Sequence, residues 1–223
     1  MIAALSHIQG VIWDLDGTLY RYEQVFLAAC NIAAARTAID LGLDMEFDDA
    51  VKLAEQSYND QGSSFKLFAE RGIRYEDFHL PYHRAVDTTI LEKNQEMRLA
   101  LEQIGIPMVI LTNASRDWAL RTLTHLDLDK IFPPENLLAL EDVNYEAKSN
   151  SARGFETALK TLGKDVGTIL MVEDLPRNLV IAKNMGMTTA LVHHGRPGDA
   201  VRETHIDLFY DNTLDLARDL AAK

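Results

Sequence analysis

The sequence predicts an α/β protein, a parallel sheet wound with right-handed crossovers and interrupted soon after its first strand by a small helical unit. Three apolar runs, GVIWDLD, IPMVILTN and GTILMVED, are continuous rather than alternating, as expected of strands buried on both faces. Helical patterns lie between and around them, which in series with the strands gives crossover units. The interval from Tyr20 to about Gln95 is also far longer than the dozen or so residues that a crossover needs.

The elements follow in order. Gly10–Asp16 is the first strand. The insertion carries the helical stretches QVFLAACNIAAARTAIDLG and FDDAVKLAEQSYND, then SSFKLFAERG and YEDFHLPYHRAVD, with no convincing strand among them. Residues 21–95 are therefore expected to form a helical cap, and residues 1–20 with 96–223 the sheet-bearing core. In the core, Arg116–Leu128, Ser151–Gly163 and Arg177–Met187 read as helices. A further apolar run starts at Thr188, and ETHIDLFYDNTLDLARDLAA reads as a short strand and a terminal helix. The aromatics Phe65, Phe68, Tyr75 and Phe78 recur at helical intervals and are expected in the core of the cap. His193 and His194 are expected in a loop, since further metal ligands at suitable spacing are missing.

Composition limits the function classes. With 47% hydrophobic and 25% charged residues, the 223-residue chain is an ordinary globular protein. A formal charge of -12 argues against a nucleic-acid polymer or a membrane surface as partner, since both call for clustered Lys and Arg. Cys30 is the single cysteine, so neither an intramolecular disulfide nor a Cys-rich zinc site is available. No apolar run approaches a membrane span, and MIAALSHIQG lacks the marks of a signal peptide. The expectation is a cytoplasmic monomer or homodimer with neither a nucleic-acid polymer nor a membrane as partner.

In parallel α/β sheets ligands bind outside the carboxyl ends of the strands, and the conspicuous polar residues all sit there. The first strand ends in Asp14-Leu15-Asp16-Gly17-Thr18, the second in Thr112-Asn113, the third in Glu173-Asp174, and Lys148 lies between the last two. A carboxylate can attack phosphorus to form an aspartyl phosphate, and Asp14 is placed for that. Asp16 is then the general acid for the leaving alcohol and the base for the hydrolytic water. Glu173 and Asp174, with an oxygen of Asp14 and the backbone carbonyl of Asp16, would ligate Mg²⁺, which favours few carboxylates plus water and phosphate. Thr112 and Asn113 would donate to phosphoryl oxygens, and Lys148 would supply a fixed positive charge. Gly17 permits the tight course that keeps both aspartates near the metal. Tyr20, Ser63, Ser64 and His83 are candidates to face the substrate.

The order DLDGT, strand plus TN, Lys, strand plus ED resembles the haloacid dehalogenase superfamily of aspartate-nucleophile phosphatases over nearly the whole chain. The resemblance implies a Rossmann-like core, an inserted cap, Mg²⁺ dependence and phosphate-monoester hydrolysis. WDLDGTLYR, SSFKLFAERGI with PYHRAVD, LTNASRDWALRTLTHLDL and VEDLPRNLVIAKNMGM look most like the pyrimidine 5′-nucleotidase group, which implies a nucleoside 5′-monophosphate as substrate and a cap that sets selectivity. The chain departs from the family in Ser149, where proline often follows the motif lysine, and in Glu173, where an aspartate often stands. The alternatives are a phosphoglycolate or sugar-phosphate phosphatase, a β-phosphoglucomutase-like phosphomutase, a dehalogenase that would leave Asp16 and the Glu-Asp pair idle, and a non-catalytic binding module.

Overall fold

The structure is a computed structural model and describes residues 3–194 and 203–223. Two compact units emerge, Met1–Arg21 with Glu92–Lys223, and Tyr22–Leu91.

The first unit is built on a parallel sheet of strands β1 (Gly10–Trp13), β2 (Met108–Leu111), β3 (Leu137–Leu138), β4 (Ile169–Glu173), β5 (Thr188–Val192) and β6 (Leu208–Tyr210), in the order β3-β2-β1-β4-β5-β6. The three predicted apolar runs are thus its three central strands. β3 escapes sequence reading because two residues are too short to show a period. Alternate residues along the strands, Ile12, Val109, Leu111, Met171 and Leu191, pack in one cluster with Phe155, Ala158 and Ala182. Val11, Trp13, Ile110, Leu170 and Val172, which point the other way, are buried too, so the sheet is covered on both faces.

The helices of the second unit are α1 (Gln24–Asp40), α2 (Phe47–Gln61), α3 (Lys66–Ala69) and α4 (Tyr75–Ala85); the first unit carries α5 (Gln95–Glu102), α6 (Arg116–His125), α7 (Arg153–Leu162), α8 (Val180–Asn184) and α9 (Thr213–Ala221). Helix α6 starts where Ser115 accepts a hydrogen bond from the Trp118 N–H, and it ends short of the expected Leu128, with Asp127 in the left-handed region at φ 59°. Gly154 of α7 lies so close to β2 that a Cβ there would meet Leu111 Cδ1 at 2.9 Å. The predicted helix Arg177–Met187 is divided into a 3₁₀ turn, Pro176–Leu179, and the short α8. The turn is tied to the end of β4, since Asn178 donates to Glu173.

In the second unit, Ala34, Ala35 and Ala38 of α1 and Ala50 and Ala54 of α2 are small enough for close helix approach, and they share a cluster with Phe65, Phe68 and Phe78. Tyr75, expected with these aromatics, packs on the cluster while partly exposed. Among the described residues no helix is long and apolar enough to cross a membrane.

Candidate active site

Strand register places the site. Trp13 is level with Ile110 of β2 and Val172 of β4, so Asp14 emerges from the sheet beside the end of β4. The Asp14 N–H still donates to the Val172 carbonyl at 2.9 Å, which makes the residue an extension of the ladder rather than part of a free loop. Beyond Asp16 the chain turns through Gly17 at φ 88°, a conformation that favours glycine.

Asp14 is buried, and both of its carboxylate oxygens are held: Oδ1 accepts from Lys148 Nζ, and Oδ2 accepts from the Thr18 hydroxyl at 2.9 Å. The Thr18 carbonyl in turn accepts from Thr213 of α9. Lys148 also donates to Glu173 Oε1 at 2.8 Å, so one buried ammonium bridges two buried carboxylates. Its backbone N–H donates to Asn113 Oδ1 at 3.1 Å, which docks the Lys148 loop onto the end of β2. Glu173 is held at both oxygens: Oε1 accepts from Lys148 and from Asn178 Nδ2 at 2.6 Å, and Oε2 from the N–H groups of Asp174 and Leu175 at 2.7 and 2.8 Å.

Ionisation follows from this packing. Burial, then the charge of Glu173, push the Asp14 carboxyl up to about 7 against the downward pull of Lys148. Burial would also raise Glu173, but Lys148 and the hydrogen bonds hold it below the ordinary carboxylate value. Burial works against the Lys148 ammonium, and Asp14 and Glu173 more than offset it, so its pKa lies above that of ordinary lysine.

Asp16 is half-buried and surrounded by neutral donors. Tyr20 OH and Trp118 Nε1 donate to Oδ1 at 2.5 and 2.6 Å, and the Thr112 hydroxyl donates to Oδ2 at 3.0 Å. Thr112 Oγ1 itself accepts from the Ala114 N–H at 3.0 Å. Desolvation raises the Asp16 pKa, and the Tyr20, Trp118 and Thr112 hydrogen bonds oppose the rise.

Asp14, Glu173 and Asp174, all buried, offer carboxylate oxygens within 4.8 Å of one another. This donor set fits a hard divalent cation: it is all oxygen, without thiolate or imidazole. The charge count agrees, because among the described residues these three buried carboxylates face one buried ammonium, Lys148, which leaves a negative excess.

Asp14, Asp16, Thr112, Asn113, Lys148, Glu173 and Asp174 are thus gathered at the carboxyl ends of the interior strands β1, β2 and β4. Thr112 spends its one hydroxyl proton on Asp16, and the Tyr20 hydroxyl also lies on Asp16. The other substrate candidates belong to the second unit. Ser64 is buried and donates to Asn31 Oδ1 at 2.8 Å, the Ser63 carbonyl accepts from Ser57 at 2.6 Å, and His83 Nδ1 lies 2.8 Å from the His79 carbonyl. His193, read as a loop residue, pairs with Asp211 at 2.8 Å. Trp118 and Asn178 do not stand out in the sequence as site residues, and Thr18 belongs to the first motif without a role read from it. Ser115 is the one local signal for Trp118, since a cap there sets the helix start and hence the direction of its third residue.

Residues 8–186 match the model of a family described as haloacid dehalogenase-like hydrolase. The chain is 27% identical over 209 residues to a phosphoglycolate phosphatase of Neisseria gonorrhoeae, spanning 87% of this chain and 84% of that protein. It is 21% identical over 227 residues to a glyceraldehyde 3-phosphate phosphatase of Methanocaldococcus jannaschii, spanning 94% and 95%. Among solved structures, CbbY from Rhodobacter sphaeroides in complex with phosphate superposes with a TM-score of 0.66 at 18% identity, covering 94% of this chain and 96% of that one, a likeness of fold.

Proposed function

Because the chain belongs to the haloacid dehalogenase-like hydrolases, we propose that it is a Mg²⁺-dependent phosphatase that hydrolyses a small, non-nucleotide phosphate monoester through an aspartyl phosphate on Asp14. The observation that carries this reading is the buried Asp14–Lys148–Glu173 chain of charges beside a second, separately held carboxylate, Asp16. A dehalogenase would leave that second carboxylate without work, since it has no alkoxide to protonate.

Asp14, Asp174 and Glu173, with the backbone carbonyl of Asp16, would hold Mg²⁺, which when bound neutralises phosphoryl oxygens. Lys148 keeps a carboxylate oxygen of Asp14 fixed and lends positive charge to the same space. An Asp14 oxygen bonds to phosphorus as the bond to the leaving oxygen breaks, and Asp16 gives that oxygen its proton. Asp16 then takes a proton from water, whose oxygen bonds to phosphorus as the bond to Asp14 breaks.

Relatives named for phosphoglycolate and glyceraldehyde 3-phosphate support a small phosphate ester as substrate, in preference to the pyrimidine nucleotide that the cap stretch suggested. The test is kcat/KM for phosphoglycolate, glyceraldehyde 3-phosphate, glucose phosphates, pyrophosphate, UMP and CMP, each with Mg²⁺ and with excess chelator. A small ester is expected to lead UMP by about tenfold or more, roughly 1.4 kcal/mol in transition-state binding. A lead for UMP or CMP restores the nucleotidase reading, an isomerised product in place of free phosphate marks a phosphomutase, and rates indifferent to chelator overturn the metal assignment.

A further inference from the structure

Trp118 is buried, at 2% exposure, and its indole nitrogen reaches across 102 residues of sequence to a carboxylate oxygen that already accepts from Tyr20. An indole N–H only donates, so the direction of this bond cannot reverse. Tyr20 and Trp118 together fill the two lone-pair positions of Asp16 Oδ1. Among the described residues Oδ2 receives only Thr112, whose hydroxyl is itself set by the Ala114 N–H and so points its proton at Asp16.

We infer that Tyr20 and Trp118 are positioning residues that clamp Asp16 by Oδ1, leaving Oδ2 as the atom that carries the proton to and from the reacting oxygen. This rests on the phosphatase reading above and adds to it an atom and two residues. In the first half-reaction the Oδ2–H bond breaks as the proton passes to the leaving alkoxide, and Asp16 becomes a carboxylate. In the second, Oδ2 takes a proton from the attacking water. A carboxylate pinned at one oxygen cannot rotate to present the wrong one, and that orientation is worth part of the hundredfold or more that a general acid contributes.

The alternative is that Trp118 simply fills space and satisfies its N–H. Trp118→Phe and Tyr20→Phe separate the two roles, because each keeps a ring and removes the donor. Wild type, both variants, the double variant and Asp14→Asn are compared on phosphoglycolate, whose alkoxide must be protonated, and on p-nitrophenyl phosphate, whose leaving group needs no proton. The quantity compared is the burst rate of leaving-group release, which reads the first half-reaction alone: it is expected to fall about tenfold on phosphoglycolate in each variant with KM near wild type, and by less than about twofold on p-nitrophenyl phosphate. Tyr20→Phe carries the test alone if Trp118→Phe melts far below wild type. Equal losses of burst rate on the two substrates, or no loss on either, overturn the clamp. Turnover of phosphoglycolate by Asp14→Asn instead overturns the aspartyl phosphate on Asp14, and no turnover of either substrate by wild type overturns the phosphatase reading, whatever the ratios in the other variants.

Discussion

The two units store polarity differently. In the sheet-bearing unit Asp14, Lys148, Glu173 and Asp174 are all buried at the carboxyl ends of the strands, and every bond that steadies Asp14, Lys148 and Asp16 crosses between separate segments or turns back within the first loop. In the helical unit the interior is alanine and aromatic, and the buried polar side chains are uncharged ones such as Ser57, Ser64 and Asn31, together with His79, whose pKa burial lowers to about 4. Charge is expensive to bury unless it is matched, and a row of strand ends in register supplies matched partners at fixed spacing. A bundle of helices packed through alanines offers no such row, and this comparison favours the strand ends as the place of the proposed chemistry.

The contrast is broken most severely at Asp14. Asp14→Asn removes the attacking carboxylate, and turnover of any phosphate ester is expected to fall by about a thousandfold or more. The metal-free protein should be no less stable for the change, because Lys148 and Glu173 remain as a matched pair. Urea unfolding beside a phosphate-release assay reads both outcomes.

Lys148→Met takes the only ammonium from between two buried carboxylates. The expected loss of stability is about 3–5 kcal/mol in chelator, with part of it regained on adding a divalent cation. A variant as stable as wild type in chelator would show that the strand ends are not the charge-matched region described.

The helical unit is sharpened by pH. Its buried His79 lies near Tyr75 and His83, with a folded pKa of about 4 against an ordinary 6.5. Its neutral form is the one that fits, so the stability it contributes is present above pH 6.5 and is lost as pH falls toward 4. Between pH 7.5 and 5 its share of the loss is about 2 kcal/mol, read as the pH dependence of the difference in urea midpoints between wild type and His79→Leu, in which the opposite contribution of the raised Asp14 carboxyl cancels. The smallest effect is expected at Ser64→Ala, about 1 kcal/mol for the lost bond to Asn31, read by thermal melting.

Legibility in the sequence followed interaction range. GVIW, MVIL and ILMVE announce themselves because burial on both faces writes a continuous apolar run locally. β3 and the broken helix at Pro176–Asn184 did not, the first being too short for a period and the second depending on a bond from Asn178 to Glu173. Asp14, Asp16, Glu173 and Asp174 stood out because a carboxylate at the end of an apolar strand has no folding reason to be there. Trp118 read as one more apolar helix residue.

By itself the sequence determined the apolar strands β1, β2 and β4, their order along the chain and the family, because each is written in local pattern or in motif order. Tertiary structure decided which oxygen each donor meets: Lys148 lies 134 residues from Asp14, and Trp118 lies 102 from Asp16. No local pattern records such distances. Strand register and helix packing close them, and a hydrogen bond that depends on a few tenths of an ångström exists only once they have.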